Sequence, residues 1–480
     1  MDLTINLEIS NKMKKILFIL LVVLAQNGFA KIWLPSVISD NMVLQRSSTV
    51  TIWGWTTDPI ESITVTGSWD HVAVTENAYQ GKWSVQLATP DAGGPYSVTI
   101  KGHENITLSN VLIGEVWIAS GQSNMEWSAS NGINNAQEEI DHANFPDIRL
   151  FQVPKYQSPT PQDNTPGQWT ECRPETMKNF SAVAYFFGRK LYKELNVPIG
   201  LINASWGGTR AEVWLNAKNL SNDSDFVDLE QHYTENKWHS SKYGYMYNAM
   251  IAPLIPFKIN GAIWYQGEAN RLTPHTYSKL LTSLIKSWRE EWGFDFSFYL
   301  VQIAPFNYKE KNAGVLIREA QLKTFKKLQN TGIVVVSDIG DINNIHPTNK
   351  QDVGERLAKW ALAKNYDFTD IVFSGPVYRE VKRDGKKMVV FFDYATDGLI
   401  KKGDELTNFE ICGPDRIFQH AQASIESNTV RVWNNNIKDP VAVRFAWDNS
   451  AEPNLFNKAG LPASCFRTDN WEIKLNGNTD

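Results

Sequence analysis

The pattern of apolar and polar positions changes character twice along the chain. From residue 31 to about 110, short β-rich runs at 50–55, 62–66, 82–86 and 96–100 are separated by turn clusters such as Asp91-Ala-Gly-Gly-Pro95. Short strands at this spacing predict a small β-sandwich whose role is packing, sugar binding or both. From Val111 onward, strands and helices alternate. An apolar run at 116–119 predicts a buried strand that stops at Ser120-Gly121, and a helix over 181–195 leads to a strand at 199–204. Another strand at 260–265 precedes a helix whose Tyr277, Leu280, Leu281, Leu284, Ile285 and Trp288 share one face. Strands at 297–304 and 332–337 flank a helix over 315–328. The second of these is β-branched, as suits a sheet buried on both sides. Thr348-x-x-Gln351 has the form of a capping box and opens a helix with Val353, Leu357, Trp360 and Ala361 on one stripe. Such alternation predicts an α/β domain with a doubly wound parallel sheet.

After about residue 365 the helical periodicity ends. Strand-like runs at 387–392, 409–412, 423–425, 430–433 and 441–447 predict a β-sandwich-like C-terminal domain. The expected layout is therefore an N-terminal β-domain over 31–110, a catalytic α/β domain over 111–365 and a C-terminal β-domain over 366–480. Residues 1–30 stand apart. Lys14-Lys15, the apolar stretch 16–25 and Gly28-Phe29-Ala30 form a signal-peptide pattern with cleavage after Ala30. That pattern begins at Met13, so the first twelve residues are consistent with a misassigned start codon. Export to a periplasm or the cell exterior follows, and no later stretch reaches transmembrane length.

Composition narrows the function classes. The 480 residues carry a net charge of -5, which gives no reason to expect nucleic acid or an anionic membrane as a partner. Three cysteines are too few for a disulfide scaffold, with Cys412 and Cys465 the one candidate pair. No Cys/His spacing suggests zinc, and no cofactor is expected. Tryptophan is abundant at eighteen residues; many are expected in the core, and sugar-handling proteins also use aromatic faces.

Chemistry-bearing residues sit at the predicted strand ends. Ser123 follows Gly121, where a sharp bend projects a hydroxyl from the edge of a sheet at which ligands of open α/β folds bind. Asn203-Ala-Ser-Trp-Gly-Gly-Thr-Arg210 offers closely approachable backbone N–H groups suited to an oxyanion hole. In Trp264-Tyr-Gln-Gly-Glu-Ala-Asn270, Gln266 or Asn270 either donates an amide hydrogen to the same oxyanion or braces loops. His346, held by Pro347 after the β-branched strand, is the candidate general base for Ser123.

Gly-Gln-Ser-Asn-Met, Trp-Gly-Gly-Thr, Trp-Tyr-Gln-Gly-Glu and Ile-His-Pro, in that order, resemble the sialate O-acetylesterase branch of the SGNH hydrolases. The similarity extends from Leu34-Pro-Ser-Val-Ile-Ser-Asp-Asn-Met to Val443-Arg-Phe-Ala-Trp-Asp-Asn449. It implies an SGNH-hydrolase catalytic domain and an acetyl-enzyme on Ser123, with His346 as base. The implied oxyanion donors are the Ser123 and Gly207 N–H groups and the Gln266 amide, with Asn270 as the alternative. The implied substrate is an O-acetylated sugar, 9-O-acetyl sialic acid foremost and acetylated xylan as the competitor; a non-catalytic carbohydrate binder is the reading from another class. Such enzymes often carry an Asp three residues before the histidine, where this chain has Asn343. The expected partner of His346 is therefore Asp341 if the loop folds back, and otherwise Asn343 or a backbone carbonyl. Arg210 is expected to face a sialic acid carboxylate or to pair with Glu212 or Glu268.

Overall fold

A single strand, Asn105–Gly121 (β8), ties the molecule together. Its first half is intermittently exposed, and every residue from Val111 to Gly121 is buried. In the computed structural model, which describes residues 31–221, 223–226 and 239–475, β8 is preceded by seven strands. These are Ile32–Trp33 (β1), Val43–Gln45 (β2), Thr49–Thr56 (β3), Ser62–Gly67 (β4), Ala73–Asn77 (β5), Lys82–Ala88 (β6) and Gly93–Lys101 (β7). β1, β3 and β6 form one sheet. β7 pairs antiparallel with the first half of β8, and β4 joins β7 to β5. The signal-peptide reading lies outside the described residues.

The second half of β8 sits inside a large mixed sheet. Around it lie Phe145–Gln152 (β9), Trp169–Cys172 (β10), Ile199–Ser205 (β11), Gly261–Tyr265 (β12), Ser297–Val301 (β13) and Thr331–Val334 (β14), in the spatial order β10-β9-β11-β8-β12-β13-β14. All neighbours from β9 to β14 run parallel, and β10 is an antiparallel edge. After β8 the chain crosses to β9 on one side, and after β12 it continues to β13 and β14 on the other, so connections leave the carboxyl ends of β8 and β12 in opposite directions.

Side-chain alternation feeds two cores. Val116, Ile118, Ala262, Trp264, Phe298 and Leu300 face the helix Pro274–Trp292 (α3). Trp117, Ala119, Ile263, Tyr265, Tyr299 and Val301 face Ala182–Leu195 (α2) and Lys350–Asn365 (α5). Helices thus cover both faces of the sheet, and Ala313–Lys327 (α4) packs beside α3. The first of these cores runs without a break into Val50, Ile52, Trp53 and Trp83 of the N-terminal layer. The boundary expected at 110/111 therefore falls inside one continuous strand and one continuous core.

The last third forms separate antiparallel sheets. One orders Val377–Asp384, Lys387–Asp393, Thr429–Trp433 and Gln422–Glu426; another orders Gln419–His420, Phe409–Cys412, Ala442–Phe445 and Phe466–Arg467. Their shared core takes in Val315 and Leu316 of α4. Cys172, Cys412 and Cys465 are all free and buried, so the candidate pair is not a disulfide. Among the described residues no helix is long and apolar enough to cross a membrane.

The start of α5 corrects the capping-box expectation. Asn349, not Thr348, is the cap: its side chain accepts from Asp352 N at 3.1 Å, while Thr348 donates to Asn134 Oδ1 at 2.7 Å. Asn349→Ala should cost about 1 kcal/mol, and Thr348→Ala less, as measured by the midpoints of urea unfolding.

Candidate active site

Gly121 makes the turn beneath the nucleophile. Its φ is +134°, and a Cβ there would lie 2.2 Å from Tyr265 O, so only glycine lets β8 and β12 approach this closely. Gln122 N then donates to Tyr265 O, and its buried side-chain oxygen accepts from Gly267 N at 3.3 Å and Ala269 N at 3.1 Å. The chain turns at once into Ser123–Glu126 (α1), which presents Ser123 at the first helical position.

His346 reaches it from the long loop between β14 and α5, with Nε2 2.8 Å from Ser123 Oγ. The imidazole stacks on Trp127, its ring centroid 4.2 Å away and the planes 17° apart. Trp127 is itself pinned by donating to Gly132 O. The residue just after α1 therefore supplies the surface that orients the histidine. Burial lowers the His346 pKa below its ordinary 6.5, and Lys350 lowers it further against the opposing pull of Glu126.

The expected carboxylate partner is not at the ring. Asp341 is exposed, and its Oδ1 accepts from Asn343 N within its own turn. The Asn343 side chain turns instead to Asn307. Among the described residues, neither forms a hydrogen bond with the imidazole. The loop is held through its backbone: Asn307 N donates to Ile342 O, and Asn344 Oδ1 accepts from His346 N at 3.0 Å. Asn307 belongs to a loop that Asn449, just after the strand Ala442–Phe445, secures by accepting from Phe306 N and Gly314 N.

Gly207 lies beside the nucleophile, where a Cβ would stand 3.3 Å from Ser123 Cβ. Its N–H donates to the Glu126 carboxylate, whose other oxygen pairs with Lys155. The Ser123 N–H, at the start of α1, has no intrahelical acceptor. Gln266 and Asn270 are engaged elsewhere. The Gln266 amide donates to Thr209 O at 3.2 Å and Asn270 Oδ1 at 2.7 Å, which uses both its hydrogens. Asn270 donates to Glu212 at 2.8 Å and accepts from Ala211 N. These side chains join the loops after β11 and β12. Arg210 leads half-buried into the turn Ala211–Trp214, and Glu268 binds Asn124.

A buried polar cluster next to Ser123 escapes sequence reasoning. Asn124 donates to Glu268 Oε1 at 2.7 Å and to Ile345 O at 2.9 Å, and accepts from the Lys350 ammonium. Lys350 is sealed from water, which pulls its pKa down to about 7 against the attraction of Glu268. Burial raises the Glu268 pKa in turn. The cluster links the nucleophile turn, the loop after β12 and the histidine loop. Asn124 and Glu268 stood in the motifs, but a lysine in the first turn of an amphipathic helix carries no signal of burial. No group of three or more His, Cys, Asp or Glu among the described residues has the arrangement of a metal site.

A serine and a histidine in contact at a strand-order reversal, beside a glycine N–H, can carry out acyl transfer. Residues 113–363 match the family model described as carbohydrate esterase, sialic acid-specific acetylesterase. The chain is 30% identical to sialate O-acetylesterases of Pongo abelii and Homo sapiens, over 86% of its length and 87% of theirs. A crystal structure of a carbohydrate acetylesterase from Xanthomonas citri superposes with a TM-score of 0.84 at 37% identity, covering 92% of this chain and all of that one. The chain belongs to the sialic acid-specific acetylesterase family of carbohydrate esterases, and it is a carboxylic ester hydrolase acting on O-acetyl esters of sugars.

Proposed function

We propose that this hydrolysis runs through an acetyl-enzyme on Ser123. The observation that carries the reading is the 2.8 Å contact between Ser123 Oγ and His346 Nε2. His346 takes the hydroxyl proton as Oγ attacks the acetyl carbonyl, and the Ser123 and Gly207 N–H groups receive the oxyanion. For this, the Glu126 carboxylate leaves Gly207 and keeps its pairing with Lys155. Collapse expels the sugar oxygen, which takes the proton from His346. Water then attacks the acetyl group with the same base, releasing acetate and restoring the serine. Gln266 and Asn270 brace the loops, and Trp127 replaces a carboxylate as the orienting element for His346.

We assign the substrate as an O-acetylated sialic acid, a reading that the family match and the curated relatives support, and we place the 9-O-acetyl ester foremost among its positions. The 37% identity to the Xanthomonas citri carbohydrate acetylesterase is compatible with a second reading, an acetylated sugar other than sialic acid, for which acetylated xylan is the competitor tested. The N-terminal sequence pattern supports an exported enzyme.

Ser123→Ala should reduce acetate release about 10⁴-fold or more. Assays on 9-O-acetyl sialic acid, 4-O-acetyl sialic acid and acetylated xylan identify the substrate class, and release that survives the substitution would exclude the acetyl-enzyme. Asp341→Asn should leave kcat within about threefold of the parent, whereas a working triad would lose roughly 10⁴-fold. A lowered His346 pKa keeps the base neutral into mildly acidic solution, and activity is lost as pH falls through that pKa. The acid limb of kcat/KM should therefore have its midpoint below 6.5, and a midpoint above 7 would contradict the assignment.

A further inference from the structure

Away from Ser123, the N-terminal layer meets the catalytic layer across a cavity of about 650 Å³, a size that suits a ligand. Its floor is a sheet face. Register places Trp55 opposite Lys82 and Trp53 opposite Ser84, so the two indoles stand on one side of β3 and β6. Trp53 is fixed by an edge-to-face contact with Phe257 of the catalytic layer. Trp55 is only half-buried, and Tyr79 at the cavity wall is 76% exposed. Pro253 and Pro256 form the opposite side.

Exposed rings held on a rigid sheet are unusual unless something covers them. Here they are interleaved with hydroxyl, amide and carboxylate groups, Thr51, Ser84, Gln162 and Glu76 among them. An aromatic plane beside scattered hydrogen-bonding groups matches a sugar ring, which offers C–H bonds on its face and hydroxyls at its edge. Charge narrows the class. Lys82 and Asp163 pair with each other at 3.1 Å, leaving the Glu76 carboxylate, which opposes an acidic sugar.

We propose that this cavity is a glycan-binding site, separate from the esterase centre, that takes neutral sugar units of a polysaccharide. It goes beyond the esterase reading and does not depend on the acetyl group. Trp55 and Tyr79 carry the stacking, and Glu76 and Gln162 accept or donate at the ring edge.

The test is native gel electrophoresis of the full chain through gels cast with deacetylated xylan, mixed-linkage β-glucan or polysialic acid. The protein should be retarded by at least one neutral polymer. Trp55→Ala or Tyr79→Ala should weaken that retention roughly tenfold, with hydrolysis of 4-nitrophenyl acetate unchanged. Tyr79→Ala keeps the test valid should Trp55→Ala disturb the fold, because its side chain is largely outside the core. Retardation by polysialic acid alone, by no polymer, or equally in both variants overturns the proposal. Failure of the Ser123 mechanism shows separately, as 4-nitrophenyl acetate turnover that survives Ser123→Ala.

Discussion

The Lys350 ammonium is buried within the protein, where it meets Asn124, the face of Tyr265 and the charge of Glu268. Removing one member of a buried charged set leaves the others uncompensated, at a cost of about 3–5 kcal/mol. Each member comes from a different part of the chain: the first turn of α5, the nucleophile turn and the loop after β12. The remaining hydrogen of Asn124 goes to Ile345 O, immediately before His346. The geometry between nucleophile and base is therefore set by one electrostatic clamp rather than by the two residues themselves. The low dielectric that makes the clamp costly also stiffens it.

This arrangement accounts for how His346 is held where no acidic side chain among the described residues hydrogen-bonds its ring. Stacking on Trp127 fixes the ring plane, hydrogen bonds fix the loop backbone, and Glu126 supplies the nearby negative charge. That same carboxylate rests on the Gly207 N–H. In the proposed mechanism it marks where the oxyanion forms, because a group that attracts a carboxylate will also attract the charge of a tetrahedral intermediate.

Much of this was legible in the chain. Period-two and period-3.6 patterns located the strands and helices of the central layer; Ser123 stood out at the end of a buried strand, and His346 in the loop that follows another. The strand–helix alternation also implied helices on both faces of the sheet. What escaped was set by tertiary neighbours. Lys350 reads as a solvated helix residue, Glu126 as an ordinary surface acid, and Trp127 as core. Asn349 took the cap that the sequence pattern assigned to Thr348, because its side chain reaches Asp352 N. The boundary at 110/111 was placed at a change of pattern. That change is real, but it records β8 passing from a half-exposed antiparallel sheet into a doubly covered parallel one.

The continuity of β8 bears on cooperativity. Two layers that share a strand and a core have no seam along which one can melt while the other stays intact. An opening that frees β7 from the first half of β8 also loosens the strand that ends at Gly121. The N-terminal layer and the nucleophile then belong to one cooperative unit, whose local fluctuations approach the cost of global unfolding. The aromatic cavity and Ser123 are thus held in fixed registration, as two marks on the same ruler.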